Sequence, residues 1–240
     1  MSLLALDGVS KLYLDGRREI AVLDDVSLEI DEGDFVGIWG MRRSGKSTLL
    51  RVAYGEELPD AGSILFDGDE ITAMSSNRRA HLHRHDGIGF LSSDWRPARN
   101  KPVVEHVALP LLSDGMSLLQ ARSPAWRALE RVGIAGCSHM PADSLSNSER
   151  IRVGLAQALV REPRVLLVDE PTVLLRPSEG VQLYELLHAL GHDLSLAIVI
   201  ASEDIAPIRK ARRMFTIDSG KLRAMDEPGT VVQFRDRQHR

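Results

Sequence analysis

A single cysteine, Cys137, stands among the 240 residues, so no disulfide can form within the chain, and a reducing compartment is expected. Long apolar runs are missing as well. No stretch reaches the roughly 18–20 residues that a membrane-spanning helix needs, and the opening Met-Ser-Leu-Leu-Ala-Leu-Asp lacks the basic start of a secretion signal. The chain is therefore expected to be soluble and to reach a membrane only through another protein. An excess of basic charge is absent too: the net charge is −4, which argues against a general nucleic-acid binder. No repeat or low-complexity tract is present. What remains is 43% hydrophobic and 27% charged, an ordinary globular composition. The length suits one large α/β domain or a domain carrying an insertion.

Residues 40–48 read Gly40-Met41-Arg42-Arg43-Ser44-Gly45-Lys46-Ser47-Thr48, a complete phosphate-binding loop of the form G-x-x-x-x-G-K-S. The run from Asp34 to Trp39 before it is strand-like, and Ser47 to Tyr54 after it is helix-like, which is the context such a loop requires. Backbone N–H groups of the loop converge on a β-phosphate, and the helix N-terminus adds the positive end of its dipole. Lys46 is expected to reach the β- and γ-phosphates of ATP, and Ser47 to ligate Mg²⁺. The continuous apolar run Val165–Val168 is a central parallel strand closed by Asp169 and Glu170. Asp169 is expected to hold Mg²⁺, directly or through water, and Glu170 to polarise the attacking water.

Around these motifs the chain reads as alternating elements. Leu3 to Ile30, with turn signals at Asp15-Gly16 and Asp24-Asp25, predicts antiparallel strands. Residues 59–68 predict a turn, a short strand and a second turn. Gly87 to Leu91 reads as a buried strand. From Val103 to Val132 the spacing is helical, with breaks near Ser113-Asp114-Gly115 and before Pro124. Helices follow over 149–161 and 178–190, a buried strand over 196–201, and a closing hairpin from Met214 to Ala224. The tail 234–240 is polar and expected to fray. His81, His83 and His85 share a helix spacing, but no carboxylate or cysteine completes a metal set, and a solvated basic segment accounts for them.

Taken together, the chain resembles the nucleotide-binding subunit of ATP-binding cassette (ABC) transporters over nearly its whole length. The landmarks stand in the family's order: Lys11-Leu12-Tyr13, Gly40–Thr48, Pro59–Ser63, Leu145-Ser146 with its helix, and Leu166–Thr172. The stretch Glu105–Leu112 is most similar to the branch serving macrolide-efflux, lipoprotein-release and cell-division permeases. The resemblance implies an α/β P-loop NTPase fold with a mixed-sheet core and an N-terminal antiparallel β-subdomain, over 1–91 and 161–240. It also implies an inserted helical subdomain, about 92–160, that touches the permease. It makes Tyr13 the residue that stacks on adenine, and a strand-edge Tyr is the alternative reading. It implies two facing subunits, each ATP lying between one phosphate loop and the other subunit's Ser146 segment.

Several family positions are altered. The signature Leu-Ser-Gly-Gly-Gln is here Leu145-Ser146-Asn147-Ser148-Glu149, so both glycines that permit close approach to a γ-phosphate are gone. Two readings of it stand side by side: a weakened ATP contact, and a helix capping box of Ser146 and Glu149. Ser93 replaces a glutamine that would reach Mg²⁺; a serine can ligate the ion but does not span the same distance, for which neighbouring Asp94 is the alternative. Glu203 replaces a histidine that faces the γ-phosphate. Arg176 replaces an aspartate in the loop after Glu170. Ser93 and Glu203 weaken the site on this chain's own loop, whereas Asn147, Ser148 and Arg176 weaken the partner's. The expectation is firm ATP binding, slow hydrolysis alone, and a heterodimer as the working unit, a homodimer being the alternative. Arg42 and Arg43 either pair with Glu203, reach the γ-phosphate, or face solvent. The leading reading is the motor subunit of a transporter, peripheral on the inner face of the cell membrane through a separate permease. A regulatory, essentially non-hydrolysing ATP-binding subunit is a second class. A soluble cassette acting on ribosomes or DNA is a third, opposed by the lack of a second cassette or long coiled coil.

Overall fold

The computed structural model describes residues 2–16, 18–79, 87–97 and 101–225, so His81, His83, His85 and the tail from Phe234 lie outside the described residues. In chain order the strands are β1 (Leu4–Asp15), β2 (Arg18–Ile30), β3 (Phe35–Trp39), β4 (Ala61–Phe66), β5 (Asp69–Glu70), β6 (Ile88–Leu91), β7 (Val165–Asp169), β8 (Ala197–Ser202), β9 (Arg213–Asp218) and β10 (Lys221–Ala224). The helices are α1 (Lys46–Tyr54), α2 (Val103–Ser113), α3 (Leu118–Arg131), α4 (Asn147–Leu159), α5 (Pro177–Asp193) and the single turn α6 (Ile205–Ile208).

The strands form two sheets, one antiparallel in the order β2-β1-β4-β5 and one in the order β10-β9-β3-β8-β7-β6. In the second sheet β3 pairs in parallel with both β8 and β9, β7 with β8, and β6 with β7, while β9 and β10 close as an antiparallel hairpin. The fold is thus an α/β P-loop NTPase with a mixed sheet and an antiparallel N-terminal sheet.

Side chains along a strand alternate between faces, and the two cores follow from that. Val165 and Leu167 of β7, with Ala197, Val199 and Ala201 of β8, pack toward the antiparallel sheet and α1. Leu166, Val168, Ile198 and Ile200 point the other way, onto the layer that holds α2, α3, α4 and α5. Both faces being covered explains why these strands read as continuous apolar runs. The parallel register sets Trp39 beside Ser202 and Asp169 beside Ala201, so the carboxyl ends of β3, β8 and β7 lie in a row. Open parallel sheets bind ligands beyond those ends.

Two expectations need correction. Asp24-Asp25 is not a turn: both residues lie inside β2, where the pairing with β1 shifts register and Asp25 takes a φ of 54°. The irregularity bends a long strand without ending it. Nor does a break precede Pro124, which lies within α3. A proline inside a helix costs about 3 kcal/mol, yet Ala121, Ala125, Ala128 and Leu129 are buried along this helix and a complete capping box at Ser117 and Gln120 fixes its start. Packing and capping outweigh the lost hydrogen bond.

The end of α4 is tied to the end of α2 by charge. Arg161 Nε and Nη2 donate to the two carboxylate oxygens of Asp114 at 2.8 and 2.7 Å, and Nη2 also donates to the carbonyl of Pro110 at 2.7 Å. The fork is bidentate and largely shielded from water. Arg161→Ala is expected to lower stability by about 1.5–3 kcal/mol, read as a lower denaturant midpoint without change of slope. Across the sheet, the His188 ring of α5 stacks on Phe35 with centroids 3.8 Å apart. Burial lowers its pKa, and the nearby Lys210 adds to that. A neutral native imidazole facing a protonated unfolded one loses stability as pH falls through the ordinary histidine range. His188→Phe is expected to keep the stack and flatten stability between roughly pH 5 and 7, measured by denaturation at a series of pH values.

Candidate nucleotide site

The loop after β3 is shaped by two close approaches. A Cβ on Gly40 would lie 2.6 Å from both the Ile217 carbonyl and Ser44 Oγ, and one on Gly45 would lie 2.6 Å from the Val22 carbonyl. Gly45 also holds a φ of 110°, a region closed to other residues, and it caps α1. The backbone can therefore wrap tightly and present its N–H groups ahead of the helix.

Lys46 is the first residue of α1 and is 4% exposed. Its Nζ donates to the carbonyls of Gly40 and Met41 at 2.6 and 2.9 Å and pairs with Glu170 Oε1 at 3.1 Å. Ser47 Oγ donates to Asp169 Oδ1 at 3.1 Å, and Ser93 Oγ donates to Asp169 Oδ2 at the same distance. The short side chain of Ser93 thus reaches Asp169. Asp169 is 2% exposed, and burial raises its pKa against the lowering influence of both serines and Lys46. Burial raises that of Glu170 as well, with the charge of Glu203 adding to it, while the Glu203 N–H, which donates to Glu170 Oε2 at 3.1 Å, and Lys46 oppose the rise.

A cavity of about 530 Å³ gathers much of this. Arg42, Arg43, Gly45, Lys46, Ser47 and Thr48 line it from the loop, with Tyr13, Ser93, Glu170 and Glu203 around them. Asp169 lies beneath, and Gly40 and Ser44 form the buried base of the loop. Tyr13 donates its hydroxyl to Glu57, which also pairs with Arg51 of α1, so the ring is fixed at the cavity edge. Arg42 and Arg43 are exposed and, among the described residues, form no ion pair with Glu203.

Ser146, Asn147, Ser148 and Arg176 are not brought to this cavity. Ser146 and Glu149 form the full capping box of α4: the Ser146 N–H donates to Glu149 Oε2 at 2.8 Å, and Ser146 Oγ accepts from the Glu149 N–H at 3.3 Å. Asn147 Nδ2 donates to the Leu174 carbonyl at 3.1 Å. Arg176 caps α5 through Glu179, its Nη2 2.8 Å from Oε1. It borders a larger cavity of about 880 Å³ that shares Glu170, Val173 and Glu203 with the first. Reading the sequence missed Val22 and Val173 in the cavity wall, and Trp39, whose indole N–H donates to the Glu203 carbonyl at 3.0 Å. No local pattern marks them, because each arrives by strand pairing or loop packing.

The comparisons with known proteins agree with this geometry. The pattern of the ABC transporter family matches residues 23–173. The chain belongs to the ABC transporter family. It is an ATP-binding chain of that family and a P-loop ATPase. The lipoprotein-releasing system ATP-binding protein LolD of Shewanella sp. (strain MR-4) is 36% identical over 226 residues, 94% of this chain and 97% of that one. The protein of the same name from Pseudoalteromonas translucida is 33% identical over 219 residues, 91% and 94% of the two chains. Among solved structures, a dimeric ATP-binding cassette in a post-hydrolysis state with ADP and Pi bound superposes with a TM-score of 0.84 at 28% identity, covering 92% of this chain and 97% of that one. The cbiO1 cassette of Clostridium perfringens, part of the transporter complex cbiONQ, gives 0.81 at 27% identity over 95% and 89%. Among the described residues of the cassette, no helix is long and apolar enough to cross a membrane.

Gly45→Ala is expected to strain the loop by about 1–3 kcal/mol and to abolish ATP binding, measured by calorimetric titration beside thermal unfolding of the same variant.

Proposed function

We propose that this cassette is the motor subunit of a transport complex, binding Mg-ATP between two cassettes and driving a separate permease of the lipoprotein-releasing class. The observation that carries the reading is the joint contact of Lys46 with Glu170 and of Ser47 with Asp169 at the carboxyl ends of β3 and β7. Lys46 is placed to neutralise the outer phosphates, and the raised affinity of Glu170 for protons suits a base acting on water.

The donors beside the loop fit Mg²⁺. One carboxylate and hydroxyl oxygens, with room for phosphate oxygens and water, are what a small hard cation takes. Ser47 and Asp169 would hold it, with Ser93 fixing the second oxygen of Asp169. When bound, the ion neutralises charge on the phosphates. Tyr13 would flank the adenine. The segment of about 92–160 would meet the permease and hold the chain peripherally on the cytoplasmic face. Nucleic acid is not a partner in this reading.

We further infer that hydrolysis depends on a second, more complete cassette. Ser146 is engaged in capping α4, and Arg176 stands where the family has an aspartate, so the surface offered to a partner's ATP departs from the family's at both places. A heterodimer gives each site some complete parts. Glu203 beside Glu170 also favours a second reading, an ATP-binding switch that barely hydrolyses. Turnover separates the two: slow release of phosphate by the chain alone and a rate at least about tenfold higher with its partner cassette and permease are expected. Brisk turnover alone, abolished by Glu170→Gln, would remove the partner dependence, and no turnover even in the complex would leave the switch.

A further inference from the structure

We propose that Arg42 and Arg43 determine selectivity for the triphosphate, their guanidinium groups binding the γ-phosphate where Glu203 would otherwise repel it. The proposal rests on the nucleotide-site reading above and deepens it.

The loop backbone and the dipole of α1 serve the inner phosphates of either nucleotide, and Lys46 reaches the β-phosphate in both. The outermost phosphate is what differs, and it must enter beside Glu170 and Glu203, where the Glu203 N–H donates to Glu170 Oε2 at 3.1 Å. Three carboxylates crowd this region, those of Asp169, Glu170 and Glu203. Among the described residues Lys46 is the one fully buried cation, with the half-buried Arg51 acting on Asp169 more weakly, and Lys46 is already paired with Glu170 at 3.1 Å. With Asp169 turned to the metal ion and Glu170 to Lys46, Glu203 is the carboxylate without a paired cation among the described residues, and the added phosphate would meet it. Arg42 and Arg43 supply positive charge at that place: both line the same cavity as Glu203.

Geometry supports the same conclusion. Both arginines are exposed and free of ion pairs among the described residues, so neither is committed elsewhere. Arg43 is held at a φ of 64°, a backbone setting that a long side chain rarely takes. A planar guanidinium presents two parallel N–H donors to phosphate oxygens, which a lysine cannot. The loop arginines and Glu203 thus form one linked set of substitutions, each tolerable because of the other.

The test is calorimetric titration of the full chain with Mg-ATP and with Mg-ADP. In Arg42→Ser with Arg43→Gly, ATP affinity is expected to fall roughly tenfold or more while ADP affinity changes less than about threefold. Adding Glu203→Gln to that pair is expected to restore most of the loss, and Glu203→Gln alone to tighten ATP. A second pair, Arg42→Gln with Arg43→Asn, keeps side chains that tolerate the local backbone, and thermal unfolding confirms that each variant is folded. Equal losses for both nucleotides, no loss, or no rescue by Glu203→Gln would overturn the proposal while leaving the nucleotide site intact. Failure of the unaltered chain to bind either nucleotide would overturn the site reading and the proposal with it.

Discussion

A buried ammonium has to be matched by oxygen, and Lys46 is matched from two sides. Loop carbonyls at Gly40 and Met41 hold it from below, and Glu170 holds it from the neighbouring strand end. Removing a charge of this kind from water is costly unless every donor finds an acceptor. The arrangement therefore requires three separate pieces of chain to arrive together: the turn after β3, the first turn of α1, and the end of β7. The parallel register of β3, β8 and β7 is what brings them there, since it aligns Trp39 with Ser202 and Asp169 with Ala201. Without that alignment the loop would still be glycine-rich, but it would face no carboxylate.

The same row of strand ends explains why distant substitutions meet. Ser93 follows β6, Asp169 and Glu170 close β7, and Glu203 follows β8. Residues 76 and more positions apart in sequence thus share one carboxylate, as Ser93 and Asp169 do. At two other positions the polar side chains serve helix starts: Ser146 and Glu149 cap α4 reciprocally, and the Arg176 N–H and Nη2 both donate to Glu179 at the start of α5. A capping box is a local solution that needs no neighbour. Its price is that the hydroxyl of Ser146 is engaged within its own chain.

Much of this was legible in the sequence. The phosphate loop, β7 and the closing hairpin stand close to where their patterns put them, because glycine spacing, buried apolar runs and turn residues are local signals. Residues whose placement depends on distant partners were less legible. Asp24-Asp25 reads as a turn because two acids break an apolar pattern, yet pairing with β1 on one side keeps the strand going through an irregularity. Pro124 reads as a break because its ring removes a donor, yet the buried alanines of α3 hold the helix through it. The contact of Ser93 with Asp169 is hidden for a related reason: it depends on the pairing of β6 beside β7, which no local pattern shows. Val22 and Val173 enter the cavity wall by sheet pairing and loop packing, and no motif contains them.

Trp39 ends β3 immediately before the phosphate loop, and its indole N–H is bonded to the carbonyl of Glu203. That bond joins the strand end that feeds the loop to the segment that carries the most unusual carboxylate of the site. An indole's emission depends on the polarity and hydrogen bonding around its nitrogen. With Trp95 and Trp126 replaced, Trp39 would be a native optical probe between the loop and the Glu203 segment, reporting changes at either one without any attached dye.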